Sequence, residues 1–556
     1  MSALDSVSSA VSSSVASAVA AGPAPGGAAT FTPPAVDWVA VWPVTAVLAT
    51  AVIGVLVEAF VPRTARRVTQ LGLAIVGLLV GLVGTVVLWG GENRIAVSYA
   101  EDPETAGMVL DKVSIFLQVI LLLMSLMALL VVAERGRGEL DAFAAQAATV
   151  PGTSEEAQAT RAGRITTEVF PLTMFAVGGM MIFASSADLL TMFIALEVFS
   201  LPLYIMCGLA RRRRLLSQEA SLKYFLLGAF SSALFLYGIA LVYGLTGTVS
   251  FIVMADRLSN AGDVDFANQV PILVVGVVLV LVGLLFKIGA VPFHSWTPDV
   301  YAGAPTPVTG FMAACTKVAA FGALLRVLYV GLESLSDDWG PALWVIAALT
   351  MVVGSVVAMR QDDIKRMLAY SSIAHAGFIL TGLVTVQESG ITSVLFYLLA
   401  YGFSTIAAFA VITLVREQDE DGGVGGEATH LSQWAGLGRR SPLLAASFTF
   451  LLLAFAGIPL TSGFTAKFGV FSAAVEGGVA WLAVLGVLAS AAAAFFYLRV
   501  IVLMYFTDPS AAERGTVVAT GPLTVAAITV GVAVTLVLGV FPAPFLDLAG
   551  AITAAP

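Results

Sequence analysis

Charge is what this sequence has least of. Only 11% of its 556 residues are Asp, Glu, Lys or Arg, against about 25% in an ordinary soluble domain. Histidine is limited to three residues and cysteine to two, Cys207 and Cys315. Both cysteines lie in apolar runs, which excludes a disulfide framework and a thiolate cluster for zinc or iron–sulfur ligation. No Gly-rich dinucleotide turn, phosphate loop ending in Gly-Lys-Ser/Thr, CxxC pair or HExxH helix occurs. The chain therefore offers no recognisable site for ATP, flavin, haem or a metal. Its net charge of −9 is small for the length and spread over loops, which speaks against nucleic acid as a ligand.

What is abundant is apolar. Hydrophobic residues make up 59% of the chain, above the roughly 45–50% of soluble proteins, so the excess must face lipid. Spanning helices take about 20 apolar residues each, and about 14 such runs can be counted: 38–60, 70–90, 109–133, 169–185, 187–209, 220–246, 271–293, 305–329, 341–359, 366–384, 391–415, 443–472, 479–505 and 521–543. They are long and unbroken rather than alternating, which favours helices over a barrel. The expected fold is an all-α polytopic membrane protein. Residues 1–36 are rich in Ser, Ala, Gly and Pro, carry no Lys or Arg, and read as a disordered tail rather than a signal peptide. Stretches 134–168 and 416–440 read as polar loops.

Loop charge sets the orientation. Loops after odd-numbered runs hold about 18 Lys or Arg, including Arg63, Arg135, Arg211 to Arg214, Arg360, Lys365, Arg416 and Arg514, while loops after even runs hold only Arg94 and Arg257. The positive-inside rule then predicts both termini outside.

The pattern also repeats. Tyr224-Phe-Leu-Leu-Gly-Ala-Phe-Ser-Ser in the sixth run is matched by Tyr397-Leu-Leu-Ala-Tyr-Gly-Phe-Ser-Thr in the eleventh. By the charge count these two runs cross in opposite directions, as in inverted-topology repeats of transport proteins; chance likeness of two aromatic-rich helices is the bland alternative. Pro292, in Lys287-Ile-Gly-Ala-Val-Pro-Phe, and Pro459, in Ala456-Gly-Ile-Pro-Leu-Thr-Ser-Gly, interrupt corresponding runs of the two halves. Proline removes a backbone donor and clashes with the preceding turn, so both helices should break where protein or water covers the freed carbonyls. The predicted organisation is a tail (1–36), three helices and a polar loop (37–165), a first five-helix repeat (166–330), a second, inverted one (331–505) and a last helix (506–556).

Five charges sit where lipid should not tolerate them: Glu197, Lys223, Lys287, Lys317 and Lys467. Each costs at least about 2.5–3.5 kcal/mol at a helix centre, so pairing, hydration or neutralisation is required. Burial disfavours the charged form of a lysine and a nearby carboxylate restores it, which makes a lysine with a movable partner a proton switch. The bland readings are a surface pair for Lys223 with Glu219, and capping of broken-helix carbonyls by Lys287 and Lys467. Lys112, Arg326 and Arg499 lie near enough to helix ends to snorkel. His375, among hydroxyls in Tyr370-Ser-Ser-Ile-Ala-His, suits a proton relay near neutral pH or simple polar packing; His430 lies in a polar loop.

These motifs resemble the antiporter-like membrane subunits of respiratory complex I, the NADH–quinone oxidoreductase, and within that family most closely the N type. The likeness is carried by Leu196-Glu-Val-Phe-Ser-Leu-Pro-Leu, Glu219-Ala-Ser-Leu-Lys-Tyr-Phe-Leu-Leu-Gly, the long stretch from Phe286 to Pro-Thr-Pro-Val308, Lys365-Arg-Met-Leu-Ala-Tyr-Ser-Ser-Ile-Ala-His, and Ala456 to Phe468. The resemblance implies a proton-translocating subunit of a translocase, in a bacterial cell membrane, without redox chemistry or cofactors of its own. NADH, FMN, iron–sulfur clusters and quinone are then expected in partner subunits, among them the antiporter-like M subunit and small membrane subunits. It also implies that Glu197 pairs with Lys287, with Lys223 nearby, that Lys317 is the central relay, and that Lys467 lies on the exit side. Lysine at 467 departs from the glutamate of the M type, and no lateral helix of the L type follows the last run. The 36-residue start is longer than the family leads one to expect. Subunits of cation/proton antiporters share this pattern and stand as the alternative.

Overall fold

The computed structural model describes residues 34–553 except 100–102, 136–140, 147–148, 151–152, 163–165, 261–269, 419–423, 509–515 and 519–520. Most of the tail expected over 1–36 thus lies outside the described residues, as do Arg137, Arg164 and Arg514.

Helices dominate, and several begin at an aspartate that the sequence places just before an apolar run. The first strand and helices are β1 (Pro34–Val36), α1 (Trp38–Phe60) and α2 (Arg63–Val87), followed by β2 (Arg94–Tyr99), β3 (Met108–Leu110) and α3 (Lys112–Val132). Asp37 accepts from the Val39 N–H at 2.9 Å to start α1, and Asp111 with Ser114 forms a capping box at α3. Such caps satisfy amides that a helix end leaves unpaired. Next come α4 (Val169–Ser185), α5 (Leu189–Cys207) and α6 (Arg214–Thr246). Asp188 starts α5 by accepting from the Thr191 N–H at 2.7 Å.

The seventh run is interrupted as its Gly and Pro predict. It divides into α7 (Val270–Ile288) and α8 (Trp296–Gly303), and Gly289 between them takes φ +74°, a left-handed turn that favours glycine. A single long helix, α9 (Thr306–Gly331), follows, with π turns at Met312–Thr316 and Val327–Gly331. Then come α10 (Ser336–Ala358), α11 (Ile364–Leu383) and α12 (Glu388–Leu414), with strands β4 (Val415–Gln418) and β5 (Val424–Glu427) behind α12. The second interruption divides α13 (Pro442–Ala456) from α14 (Ser462–Glu476), across Gly457 at φ +84° and Pro459. The chain finishes with α15 (Ala480–Phe506), β6 (Thr516–Val518), α16 (Pro522–Val540) and α17 (Ala543–Thr553).

Among the described residues, eleven helices are long and apolar enough to cross a membrane. Those at the centre and those at the rim differ in burial. The apolar stretches of α9 and α12 are buried throughout, whereas only a third of those of α2 and α15 is. The rim exposes large apolar side chains such as Val83, Phe230, Val484 and Leu488, which in water would be a liability and in lipid is the required surface. Small residues let helices approach closely: a Cβ on Gly238 of α6 would lie 2.7 Å from the Gly276 carbonyl oxygen of α7.

Four expectations need correction. The chain is not wholly helical, since β1–β2–β3 and β5–β4–β6 form two small antiparallel sheets. Pro34–Val36, placed in the tail by composition, pairs with Val97–Tyr99, and the polar stretch 416–440 contains the β4–β5 hairpin. Arg326 does not snorkel. It is buried, with Nη2 2.8 Å from Asp111 Oδ1 and Nε donating to the Ala184 carbonyl at 2.8 Å. An apolar run with one arginine near its end has the same sequence in both cases; the partner comes from a distant helix cap.

Candidate functional site: buried lysines at two helix breaks

Lys287 occupies the last turn of α7, just before the first break, and is 2% exposed. Its ammonium donates to Ser200 Oγ at 2.7 Å and lies 3.4 Å from the Tyr204 hydroxyl, both on α5. The rings of Phe199, Tyr204 and Tyr224 surround it with centroids 5.3, 5.4 and 5.6 Å away, at cation–π distance. Tyr224 is stacked on Trp296 of α8 at 4.6 Å. The two residues that flank the break are thus held by the same aromatic cluster.

Lys317 follows the π turn at Met312–Thr316 in α9, a kind of distortion frequent at functional sites. It donates to Ser372 Oγ at 2.7 Å and to the Ser372 carbonyl at 2.8 Å, with the Ile288 carbonyl at 3.4 Å. Ile288 is the final residue of α7, whose last carbonyls have no helical partner. Lys467, in α14 just beyond the second break, does the same for α13. It donates to the Phe455 and Ala456 carbonyls at 2.8 and 3.0 Å and to Ser490 Oγ at 2.7 Å. A cation at a helix C-terminus also answers the negative end of the helix dipole. Capping therefore falls to Lys317 at the first break and Lys467 at the second; Lys287 itself caps nothing.

His375 of α11 lies between these groups. Its Nδ1 is 2.7 Å from the Tyr397 hydroxyl and its Nε2 is 3.4 Å from that of Tyr497, which in turn bonds Ser371. The Tyr401 ring faces both sides, 4.7 Å from the His375 ring and 5.8 Å from the Lys317 ammonium. Imidazole and three phenols thus form a polar cluster among otherwise apolar helices.

The remaining expected residues are placed differently. Glu197 is half-buried in α5, and its Oε1 is enclosed with no hydrogen-bond partner among the described residues. The ion pair expected between Glu197 and Lys287 is not formed within 4.0 Å; Ser200, one turn from Glu197 on the same face, takes the lysine instead. Lys223 does not join the buried set. Its side chain is 42% exposed and pairs with Glu219 at 2.7 Å and Asp299 at 2.9 Å, and Asp299 also receives Arg366 at 3.0 Å. Pro292 and Pro459 both lie in the breaks, between α7 and α8 and between α13 and α14.

The family description "NADH:quinone oxidoreductase/Mrp antiporter, TM" matches residues 186–492. NADH-quinone oxidoreductase subunit N 3 of Streptomyces griseus is 55% identical over 94% of both chains, and subunit N of Mycobacterium tuberculosis is 53% identical over 93% of this chain and 98% of its own. This chain belongs to the subunit N family of NADH-quinone oxidoreductases. A chain of respiratory complex I from Thermus thermophilus, 32% identical, superposes with a TM-score of 0.70 over 91% of this chain and 99% of that one. A chain of the Mrp complex from a Dietzia strain has the same fold, with a TM-score of 0.74 over 92% and 97% of the two chains, at 22% identity. The chain is thus a multi-pass, antiporter-like membrane subunit.

Within this subunit N fold, several site residues escaped sequence reasoning. Ser200, Ser372 and Ser490 were not expected to hold the lysines, because serine is common and ordinarily bonds a carbonyl of its own helix. Ser200 had a local signal, standing three residues from Glu197. Tyr397 was noted for its repeat with Tyr224, and its bond to His375 required α11 and α12 to be packed together. Lys365 and Arg416, counted among the loop charges, are buried.

Proposed function

We propose that this subunit moves protons across the membrane through its buried lysines, as part of the membrane arm of complex I, driven by quinone reduction in other subunits. The observation that carries the reading is one shared geometry. Lys287, Lys317 and Lys467 are each at most 5% exposed, each donates to a serine hydroxyl at 2.7 Å, and none has a carboxylate within 4.0 Å among the described residues. An ammonium held only by neutral groups is poised to lose or regain its proton, and intramembrane ionisable groups of this kind mark proton paths.

In this mechanism Glu197 approaching Lys287 holds its proton, and Glu197 withdrawing releases it towards Lys317. From Lys317 the proton passes by way of Tyr401, His375 and intervening water to Lys467, and leaves on the outer side. Lys223, with Glu219 and Asp299, stands at the entry. The three spans beyond the eleven long ones are α4, α11 and the broken pair α13–α14, which brings the total to fourteen with both termini outside. The halves 166–330 and 331–505 are the two inverted repeats, flanked by 37–165 and 506–556. NADH, FMN, the iron–sulfur clusters and quinone are assigned to partner subunits.

The test is NADH-driven proton uptake by inverted membrane vesicles, comparing wild type with Lys317→Met and Glu197→Gln at matched amounts of intact complex. Collapse of pumping with assembly retained is the expected result. Unchanged pumping overturns the proposal. Na⁺/H⁺ exchange under an imposed gradient, without NADH, is the result that favours an antiporter instead.

A further inference from the structure

Between the Lys223–Asp299 pair and the buried lysines lies the first helix break, and the third histidine of the chain, His294, sits in it. Two polar atoms at this break are enclosed with no hydrogen-bond partner among the described residues, His294 Nδ1 and Thr297 Oγ1. They are one turn apart in sequence, and the Thr297 N–H bonds the His294 carbonyl at 3.0 Å. Thr297 is 1% exposed. Buried donors and acceptors are ordinarily satisfied by protein or by water, and two orphans within one turn favour water at this place.

On its inner side His294 adjoins charged groups. Arg366 and Tyr370 stand one turn apart on one face of α11. Asp299 receives Arg366 at 3.0 Å and Lys223 at 2.9 Å, while the Tyr370 ring lies 6.5 Å from that of His294. Asp299, Arg366 and Lys223 have side chains 32–42% exposed. His294 is half-buried, beside a residue roughly 6 Å further along α11 than Arg366. The Pro292 carbonyl also faces its ring, and from α10 the Thr350 hydroxyl reaches the break, accepting from the Val291 N–H at 3.0 Å. On the other side Thr297 points at the lysine row. Its Oγ1 lies 2.8 Å from where a Cβ on Gly289 would be. Gly289 follows Ile288, whose carbonyl is 3.4 Å from the Lys317 ammonium. Ile373, next to the Ser372 that holds Lys317, lines the same spot, 4.0 Å from that Cβ. Lys287, by contrast, is ringed by Phe199, Tyr204 and Tyr224 and bonded to Ser200.

We propose that His294 carries protons from the inner aqueous phase, past the Asp299 cluster, to Lys317 by way of the Thr297 hydroxyl and water. This rests on the buried lysines being proton carriers, and adds to that reading an entry that does not pass through Lys287. A proton adds to the free ring nitrogen and makes imidazolium. The imidazolium then gives a proton up, through the hydroxyl and water, to the neutral amine of Lys317, which becomes ammonium as the imidazole is restored. Imidazole suits the step because it gains and loses a proton near neutral pH, whereas the carboxylate, ammonium and guanidinium beside it are held charged by their ion pairs.

The experiment is NADH-driven proton uptake by inverted membrane vesicles, whose inner face meets the medium, at matched amounts of intact complex. His294→Ala should take up protons more slowly than wild type but faster than Lys317→Met. Imidazole added to the medium should restore the rate of His294→Ala, measured against wild type given the same addition. Pyrazole, of the same shape but far weaker as a base, should not. A rate unchanged by His294→Ala, restoration by neither compound, or equal restoration by both overturns the proposal. Thr297→Val, which keeps the shape and removes the hydroxyl, is a second test: slower uptake is expected, and an unchanged rate overturns the proposal. Normal pumping by Lys317→Met defeats the lysine reading itself, whereas collapse in Lys317→Met with His294→Ala unchanged defeats only the His294 entry. Arg439→Gln, in an exposed pair with Asp508, should match wild type throughout.

Discussion

Removing the Glu427 carboxylate should loosen the junction between the two halves of the protein. Its partners are Lys365, with a side chain 3% exposed, and Arg416, 6% exposed, while Glu427 itself is 17% exposed. Deleting one member of a buried ion pair typically costs about 3–5 kcal/mol, because the other charge is left without compensation. Two cations are stranded here. Lys365 keeps its bond to the Ala304 carbonyl at 2.7 Å and Arg416 its bond to the Thr413 carbonyl at 2.7 Å. Those contacts place Glu427→Ala at the lower end, about 3 kcal/mol, or roughly a hundredfold in an equilibrium constant. Glu427→Gln strands the same two cations but keeps an acceptor for Thr306, so it should cost somewhat less than Glu427→Ala. Unfolding of a large membrane complex is irreversible, so the assay is the rate of loss of intact complex at fixed temperature. Glu427→Ala should lose it fastest, and the double variant with Lys365→Met should recover much of the difference. A rate equal to wild type, or a double variant no better than the single, refutes the reasoning. Acid gives an independent check. Burial alone raises the Glu427 carboxyl, but Lys365 and Arg416 together hold it below its usual range. A depressed folded value contributes stability above the unfolded carboxylate range, near about pH 4.3, and loses it as pH falls through the folded value. Wild type should therefore weaken below about pH 4, and Glu427→Gln should show less of that loss.

Other perturbations follow from single contacts. A Cβ on Gly463 would sit 1.8 Å from the Ala454 carbonyl oxygen, a backbone clash that forces the second break apart; Gly463→Ala should sharply reduce assembled complex on native gels. On Gly228 the added Cβ would meet the Tyr204 hydroxyl at 2.1 Å. Gly228→Ala should push that ring off Lys287 and lower proton uptake per NADH at near-normal assembly, and normal uptake would refute a role for Tyr204. Asp111 is held below the usual carboxylate range, its burial outweighed by Arg326 and Ser114. Asp111→Asn should therefore destabilise at neutral pH, by about 3 kcal/mol for a stranded buried arginine, and remove part of the loss of wild-type stability in acid, read from the same native gels.

Much of the site was legible because lipid makes charge conspicuous. Glu197, Lys287, Lys317 and Lys467 stand out from apolar surroundings, and Pro292 and Pro459 mark breaks that α7–α8 and α13–α14 do contain. Lys223 is half-exposed rather than buried, as its Glu219 neighbour hinted: a lysine four residues from a glutamate near a helix end has a local partner. Ser200, Ser372 and Ser490 carried no such contrast, since hydroxyls bond their own helix at little cost in lipid. The Lys365–Glu427–Arg416 cluster was hidden by the rule that assigns basic residues beside spans to open loops.

By itself the sequence determined that this chain lies in a membrane, where its spans run, where two of them break, and which family its motifs belong to. Those properties are local: hydrophobic run length, proline and glycine in a helix, and short motifs all act within about the length of one span. Tertiary structure alone decided which groups meet. Whether a buried lysine faces serine, carboxylate or a broken helix's carbonyls depends on which helices pack together, which sequence separation does not encode, as the bonds of Lys467 to Ala456, 11 residues away, and of Lys287 to Ser200, 87 away, both illustrate. Packing placed Ser200 rather than Glu197 against Lys287, and buried Lys365 and Arg416 beside Glu427, because only folding brings distant side chains within reach of one another.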